Sequence, residues 1–442
     1  MTTERAVSNK FKWAPVAAAL MVVLSPASWA QSLEQAVATA LDSHPDVRAA
    51  FSRFKARAAE VDVAKAGYLP SLNATAGYGY ERTQGEDSSS RTELDRRELG
   101  VSLRQMLFDG FATSSEVNRT EAERDAEQLA LLATAEDMAL GVSDVYLKLL
   151  AAQQLEQLAK ENLEAHLTIH SQIRQRTESG VGSASDLSQI NSRLALARSN
   201  LVAAVNNRVD VEAQFMRQVN AAPEALVLPV PDADLLPKDL PSALEIARTS
   251  NPVLKSAARD IEAAQAQRER AKANNYPELA LEVGSNWDNN VDGIEGANDN
   301  LQAMLRLRYN LFAGGADRAR TEAAAWRVTE AQEINARAHR QLDEGTRLAW
   351  SAYELIGEQI AFLRDHVSSA VATRNAYQKQ FDLGKRGLLD LLDAENELFE
   401  ARRSYVSGER DLLLAQYRLL NATGQLLASL RVELPAEYKG QP

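Results

Sequence analysis

Four stretches of the chain alternate apolar and polar residues with a period of two. Leu72, Ala74, Ala76, Tyr78 and Tyr80 interleave with Asn73, Thr75, Gly77, Gly79 and Glu81. Leu99, Val101, Leu103 and Leu107 do the same with Gly100, Ser102 and Arg104. In the second half, Leu279, Leu281, Val283 and Trp287 are set against Glu278, Glu282 and Asn286. Leu301, Ala303, Leu305, Leu307, Tyr309 and Leu311 are set against Gln302, Arg306, Arg308 and Asn310. A period of two puts each class on its own face of a strand. The pattern predicts strands over about 71–81, 98–108, 278–287 and 301–312, each near the length of a tilted membrane-spanning strand. The polar segments 82–96 and 288–299 are expected as the loops joining each pair. A soluble hairpin packed on a helix would show the same alternation.

The remaining chain reads as helix. No proline falls between Pro70 and Pro223, or between Pro277 and Pro435, and both tracts are rich in Ala, Leu, Glu, Gln and Arg. Residues 113–177 and 316–382 predict two helices of ~100 Å each at ~1.5 Å per residue. Shorter helices are expected over 46–68, 186–220, 253–275 and 390–421. In the last, Leu391, Leu398, Tyr405, Leu412 and Leu419 recur every seventh residue, each followed three residues on by Ala394, Ala401, Gly408, Ala415 or Ala422. This is a coiled-coil seam of large knobs and small holes. Leu187, Leu194 and Leu201 repeat it in the first half, with Ile190, Ala197 and Ala204. The two short helices of each half, stacked end to end, nearly match the long helix beside them.

The two halves are copies of one plan. Ser32 with Gln35, and Ser242 with Glu245, are expected to form capping boxes opening a short helix. His44-Pro45 and Asn251-Pro252 then break it, and Pro45 to Pro70 spans the same distance as Pro252 to Pro277. Leu107-Phe108-Asp109-Gly110 corresponds to Leu311-Phe312-Ala313-Gly314. Equal spacings lead on to Gly180 and Asp186 in one half and to Gly384 and Asp390 in the other. We therefore divide the chain into repeats over 31–220 and 242–429, a proline-rich linker over 221–241 and a tail over 430–442.

Residues 1–30 read as a secretory signal peptide. Arg5, Lys10 and Lys12 precede an apolar run from Ala14 to Leu24, and Ser28-Trp29-Ala30 offers a cleavage site before Gln31. The run is too short to span a bilayer, and no later stretch is long and apolar enough to do so as a helix. If the exported protein sits in a membrane, it does so as a β-barrel. The 442 residues carry 49 basic and 61 acidic side chains, a net −12, which argues against nucleic acid as a partner. With zero cysteines, disulfides, thiolate sites and an N-terminal lipid anchor on sulfur are all excluded. No nucleophile elbow, phosphate-binding loop or His-Glu-x-x-His motif is present, so an enzyme is not expected, nor a cofactor. His166 and His170 share a helix face but lack an acidic third ligand, so no metal site is expected and a solvated face is the simpler reading.

Four strands cannot close a barrel, since the smallest bacterial ones have about eight. Open strand edges in lipid leave backbone groups unpaired at several kcal/mol each. A membrane reading therefore forces oligomerisation: two chains give a filled eight-stranded barrel, three give twelve strands and a lumen.

The duplicated halves, strand pairs, Leu-Phe-x-Gly exits and glycine-to-aspartate spacings resemble the TolC family of outer-membrane channel-tunnels over the whole exported chain. The stretch from Gly384 through Arg386, Asp390 and Asp393 to Ala394 is the most specific. The resemblance implies a mostly α fold with membrane β: a homotrimer with a twelve-stranded barrel in outer-membrane lipid, a long α-helical barrel in the periplasm and a small mixed equatorial region. It implies a periplasmic gate in which Asp390 and Asp393 form rings of carboxylates and Arg386 pairs with Asp186 of a neighbouring protomer. Where the family has a tyrosine five residues before the arginine, this chain has Phe381, which cannot donate a hydroxyl hydrogen bond. The turns carrying Gly180, Gly182, Gly384 and Gly387 would be the tips that dock a periplasmic adaptor protein linked to an inner-membrane transporter. That transporter would be of the ABC type or a proton-driven pump. The function so implied is an outer-membrane exit duct, as the outer component of type I secretion of a protein or of multidrug efflux. An exported coiled-coil surface protein for adhesion is the reading from another class, and the four strands argue against it.

Overall fold

The computed structural model describes residues 31–84, 91–435 and 438. The expected signal peptide over 1–30 lies outside these residues. Each half runs through the same series of elements. The first comprises α1 (Leu33–Ser43), α2 (Pro45–Lys65), β1 (Ser71–Gln84), β2 (Arg91–Phe108), α3 (Ala112–Glu178) and α4 (Ala184–Val219). The second comprises α5 (Leu240–Ser250), α6 (Pro252–Lys272), β3 (Glu278–Val291), β4 (Ile294–Arg308), α7 (Ala316–Asp382) and α8 (Leu388–Ala422), with α9 (Leu426–Ser429) after it.

The strands form one antiparallel sheet in the order β1-β2-β3-β4, so β1 and β4 are its two open edges. Its register sorts side chains by row. Leu72 lies opposite Leu103, Leu103 opposite Val283, and Val283 opposite Ala303. One step along, Asn73, Ser102, Gly284 and Gln302 form the next row, on the other face. One face is thus apolar and bare, with Leu72 at 69% and Leu301 at 76% exposure. The other is polar, and there Glu282 accepts a hydrogen bond from Arg306 at 2.7 Å.

The strands are longer than the alternation indicated, at 14, 18, 14 and 15 residues. The ladder continues through Arg82 opposite Glu93 and Asp288 opposite Asn298, inside the segments expected as loops. The β3–β4 turn shrinks to the residues between Val291 and Ile294. The cause is physical: side-chain alternation stops where an apolar surround stops, but backbone pairing needs no apolar side chains and runs on. At the opposite end β4 stops at Arg308, so Tyr309, Leu311 and Phe312 lie outside the strand.

The helices lie side by side. α2 and α4 lie along α3; α6 and α8 lie between α3 and α7. The open lateral edges are therefore α2 with α4 on one side and α7 on the other. Both long helices have 67 residues. The seam on α8 buries Leu391, Leu398 and Leu419 with Ala394, Ala401, Gly408 and Ala415. A Cβ on Gly408 would come within 2.7 Å of Leu363, so α7 and α8 approach closely there. His166 is not solvated: it is 4% exposed, in the seam that spaces Ala159, His166 and Ile173 seven apart, and its Nδ1 lies 2.8 Å from the Asn162 carbonyl oxygen.

The main core is equatorial, where α1, the middle of α3, the ends of α4 and α8, and α9 meet. Ser32 and Gln35 form the expected capping box. Ser242 does not start α5. Asp239 caps it, accepting from the Ser242 N–H at 2.8 Å, and Ser242 serves as the third residue of the box. Helix α5 thus begins inside the segment assigned to the linker, because Pro241 fits the first turn, where an amide N–H has no partner to lose.

Candidate functional site: the periplasmic tip

The tip is built from two helical turns that reverse in the same way. After α3, the Val181 N–H donates to the Arg176 carbonyl at 3.0 Å and the Gly180 N–H to Thr177 at 3.1 Å. After α7, the Lys385 N–H donates to Gln380 at 2.8 Å and the Gly384 N–H to Phe381 at 3.0 Å. Both are Schellman caps, which need a residue at positive φ. Gly180 at φ 77° and Gly384 at φ 67° supply it, with open space where a Cβ would stand. Gly387 is equally uncrowded, whereas a Cβ on Gly182 would meet Thr177 at 2.8 Å.

Beneath the turns lies a compact apolar knot. Phe381 is 3% exposed and packs with Ile169, Ile173, Ile190, Leu388, Leu391 and Leu392. It is a core residue of the tip, capped by the Arg176 guanidinium 4.7 Å from its ring centroid. The aromatic partner of Arg386 is Tyr377, one helical turn earlier, with the guanidinium carbon 3.7 Å from the ring centroid. Arg386 also donates from Nε to Gln380 at 2.7 Å and lies 3.4 Å from Asp390. Asp393 is engaged by Arg193 of α4, Nη2 to Oδ1 at 2.9 Å. Asp186 stands in the first turn of α4. Within one chain, then, Arg386 turns to Asp390; its expected pairing with Asp186 is one between chains.

Tyr377, Gln380 and Arg193 were missed from sequence. Arg193 had a signal, since it lies seven residues after Asp186 and so shares its helix face. Two larger features were missed as well. Tyr68, Phe111, Tyr276, Tyr309 and Phe312 stand exposed at the four junctions between sheet and helices. Tyr78, Tyr80 and Trp287 stand exposed at the far end of the apolar face. These are the two aromatic girdles of a barrel. Within β1, Ser71 to Tyr80 is nine residue steps, ~30 Å along the strand and ~21 Å vertically at a tilt of ~45°. The second feature is a pair of exposed stripes: Leu348, Leu355 and Phe362 on α7, and Val202, Val209 and Met216 on α4, both at heptad spacing. They lie on the two open lateral edges.

Among the described residues no group of three His, Cys, Asp or Glu side chains could hold a metal ion. No helix there is long and apolar enough to cross a membrane.

A sheet bare and apolar on one face, polar on the other, open at both edges and continued by ~100 Å helices defines one protomer of a trimeric channel-tunnel. Residues 36–220 and 243–425 match the outer membrane efflux protein family, and the chain belongs to that family. It is similar to the outer membrane efflux protein BepC of Brucella suis, 25% identical over 96% of this chain and 93% of that one. It is also similar to the protein CyaE of Bordetella pertussis, 28% identical over 89% and 84%. Among solved structures, the Campylobacter jejuni CmeC outer membrane channel superposes with a TM-score of 0.78 at 16% identity, covering 89% of this chain and 86% of that one. The protein is thus an outer-membrane channel that extends into the periplasm, and its family is one of channels, not enzymes.

Proposed function

We propose that the protein is the passive exit duct of a tripartite export machine, closed at rest by its periplasmic tip and opened by a docked adaptor. The observation that carries the gate is Arg386, held at once by Tyr377, Gln380 and Asp390. Each hold is partly solvated, and an ion pair of that kind, here Arg386 with Asp390, contributes about 0–1 kcal/mol. Three copies in a trimer make a latch of a few kcal/mol at most, which a docking partner can overcome. Arg386 is available to exchange Asp390 for Asp186 of a neighbouring protomer, and Gly180, Gly182, Gly384 and Gly387 form the surface offered to the adaptor.

The cargo we assign is a protein delivered by an inner-membrane ABC transporter, as in type I secretion. The polar face of the sheet, lined by Ser102, Asn286 and Gln302, suits a hydrated polypeptide. A second reading, drug efflux with a proton-driven pump, is favoured by the description of BepC as an efflux protein. Deleting the gene and assaying the secretome beside drug sensitivity separates the two. Loss of a secreted protein with unchanged drug tolerance supports secretion, and the reverse supports efflux.

A further inference from the structure

The acidic pair of the tip is answered from two directions. Asp390 and Asp393 lie three residues apart on α8, on one face and half-exposed. Arg386 reaches the first from the turn of its own repeat. Arg193 reaches the second from α4, across the two halves of the chain, and this is the shorter contact: 2.9 Å against 3.4 Å. Arg386 is drawn away by Gln380 and Tyr377. Arg193, by contrast, has its hydrogen bond on Asp393.

We infer that Arg193 determines the ion selectivity of the closed tip by neutralising Asp393 within its own chain. This rests on the gate reading above. The inner carboxylates then add no net charge to the axis, and the field a permeating cation meets comes from Asp390 and Asp186. Counting Asp186, Asp390 and Asp393 against Arg193 and Arg386, each protomer presents one net negative charge instead of three acids. The pair adds little to fold stability, being partly solvated on both sides. Its effect is on permeation, because a narrow passage with low-dielectric walls focuses the field of whatever charge is left unpaired.

The test uses the full-length trimer in planar bilayers under a KCl gradient, with Mg2+ added from the periplasmic side. Arg193→Gln should shift the reversal potential towards greater cation selectivity and lower the Mg2+ concentration for half-block by about tenfold, the lower end of what charged clefts achieve. Arg193→Lys should keep wild-type values. Asp393→Asn alone leaves Arg193 uncompensated and should shift the reversal potential the other way, towards lower cation selectivity, and combining it with Arg193→Gln should restore the wild-type reversal potential. The inference is overturned if Arg193→Gln leaves both readouts unchanged, or if the double variant Arg193→Gln with Asp393→Asn stays as cation-selective as Arg193→Gln alone. Should Asp390→Asn and Arg386→Ala also leave every readout unchanged, the gate reading itself has failed; should they respond while Arg193→Gln does not, only the role of Arg193 is lost.

Discussion

The guanidinium of Arg386 lies on the ring of Tyr377, 3.7 Å from its centroid. That contact supplies an aromatic partner one turn before the position occupied by Phe381, which the fold commits to the core of the tip. A cation–π contact at an exposed site is worth about 0.5–1 kcal/mol. Tyr377→Ala should therefore raise the open fraction of single channels about two- to fivefold, and Tyr377→Phe should leave it unchanged. Arg386→Ala should raise it further, because it also removes the contacts to Gln380 and Asp390. An Arg386→Ala channel conducting no more than wild type in planar bilayers would count against a latch.

The exposed stripes on α7 and α4 predict where protomers meet. Leu355 and Phe362 are 60% and 73% exposed in the single chain. Burying such side chains contributes roughly 1.5–3 kcal/mol each, and three-fold symmetry repeats the gain at every interface. Leu355→Glu with Phe362→Glu should yield detergent-soluble monomers in place of a heat-modifiable trimer on gels. An unaltered trimer would show that α7 does not form the seam.

Glu136 predicts a pH dependence. It is 4% exposed, with its carboxylate accepting from the N–H groups of Leu426 at 3.1 Å and Leu427 at 3.3 Å. Among the described residues no cation pairs with it, and burial pushes its pKa up to about 7. A carboxyl whose folded pKa lies above the unfolded value stabilises the fold below the unfolded pKa, and that contribution is lost as pH rises through the folded one. Stability should therefore fall between about pH 4.5 and about pH 7, by something on the order of 3 kcal/mol for a shift of this size. Glu136→Gln should flatten that slope in thermal melts recorded across the window.

Tyr146 ties the equator together. Its buried hydroxyl lies 2.8 Å from the Gln31 carbonyl and 2.7 Å from that of Val227, and accepts from the Val227 N–H at 2.9 Å. Tyr146→Phe leaves these groups without their partner, at a cost of about 1–3 kcal/mol. Limited proteolysis should then cut faster near Val227, and an unchanged rate would remove Tyr146 from that role.

Gly110 should not tolerate a side chain. It sits at φ 66°, and a Cβ there would lie 2.6 Å from the carbonyl oxygen of Ala273. Gly110→Ala therefore combines an unfavourable backbone conformation with a clash against rigid backbone, and should lower the melting temperature. The neighbouring exit at Gly314 has the same φ but open space, so Gly314→Ala should cost less.

Periodicity and the placement of proline determined the element types, the order of elements in each half and the apolar face of the sheet, and the count of four strands determined the need for neighbouring copies. These follow from spacing along the chain, because a period of two or of seven fixes which side chains share a face before any neighbour is known. Strand ends were not legible, since a hairpin rising out of lipid keeps its backbone ladder after its side chains cease to alternate. Nor was the choice of Asp239 over Ser242 as a helix cap, where two suitable residues stand three apart. The tip shows the division most sharply. Gly384, Arg386, Asp390 and Asp393 were visible as a local motif. Only the packing of α3 and α4 against the α7–α8 turn decided that Phe381 turns inward and that Arg193 meets Asp393 some 200 residues away. Contacts between distant segments depend on how helices lie beside one another, and no spacing within a single segment encodes that.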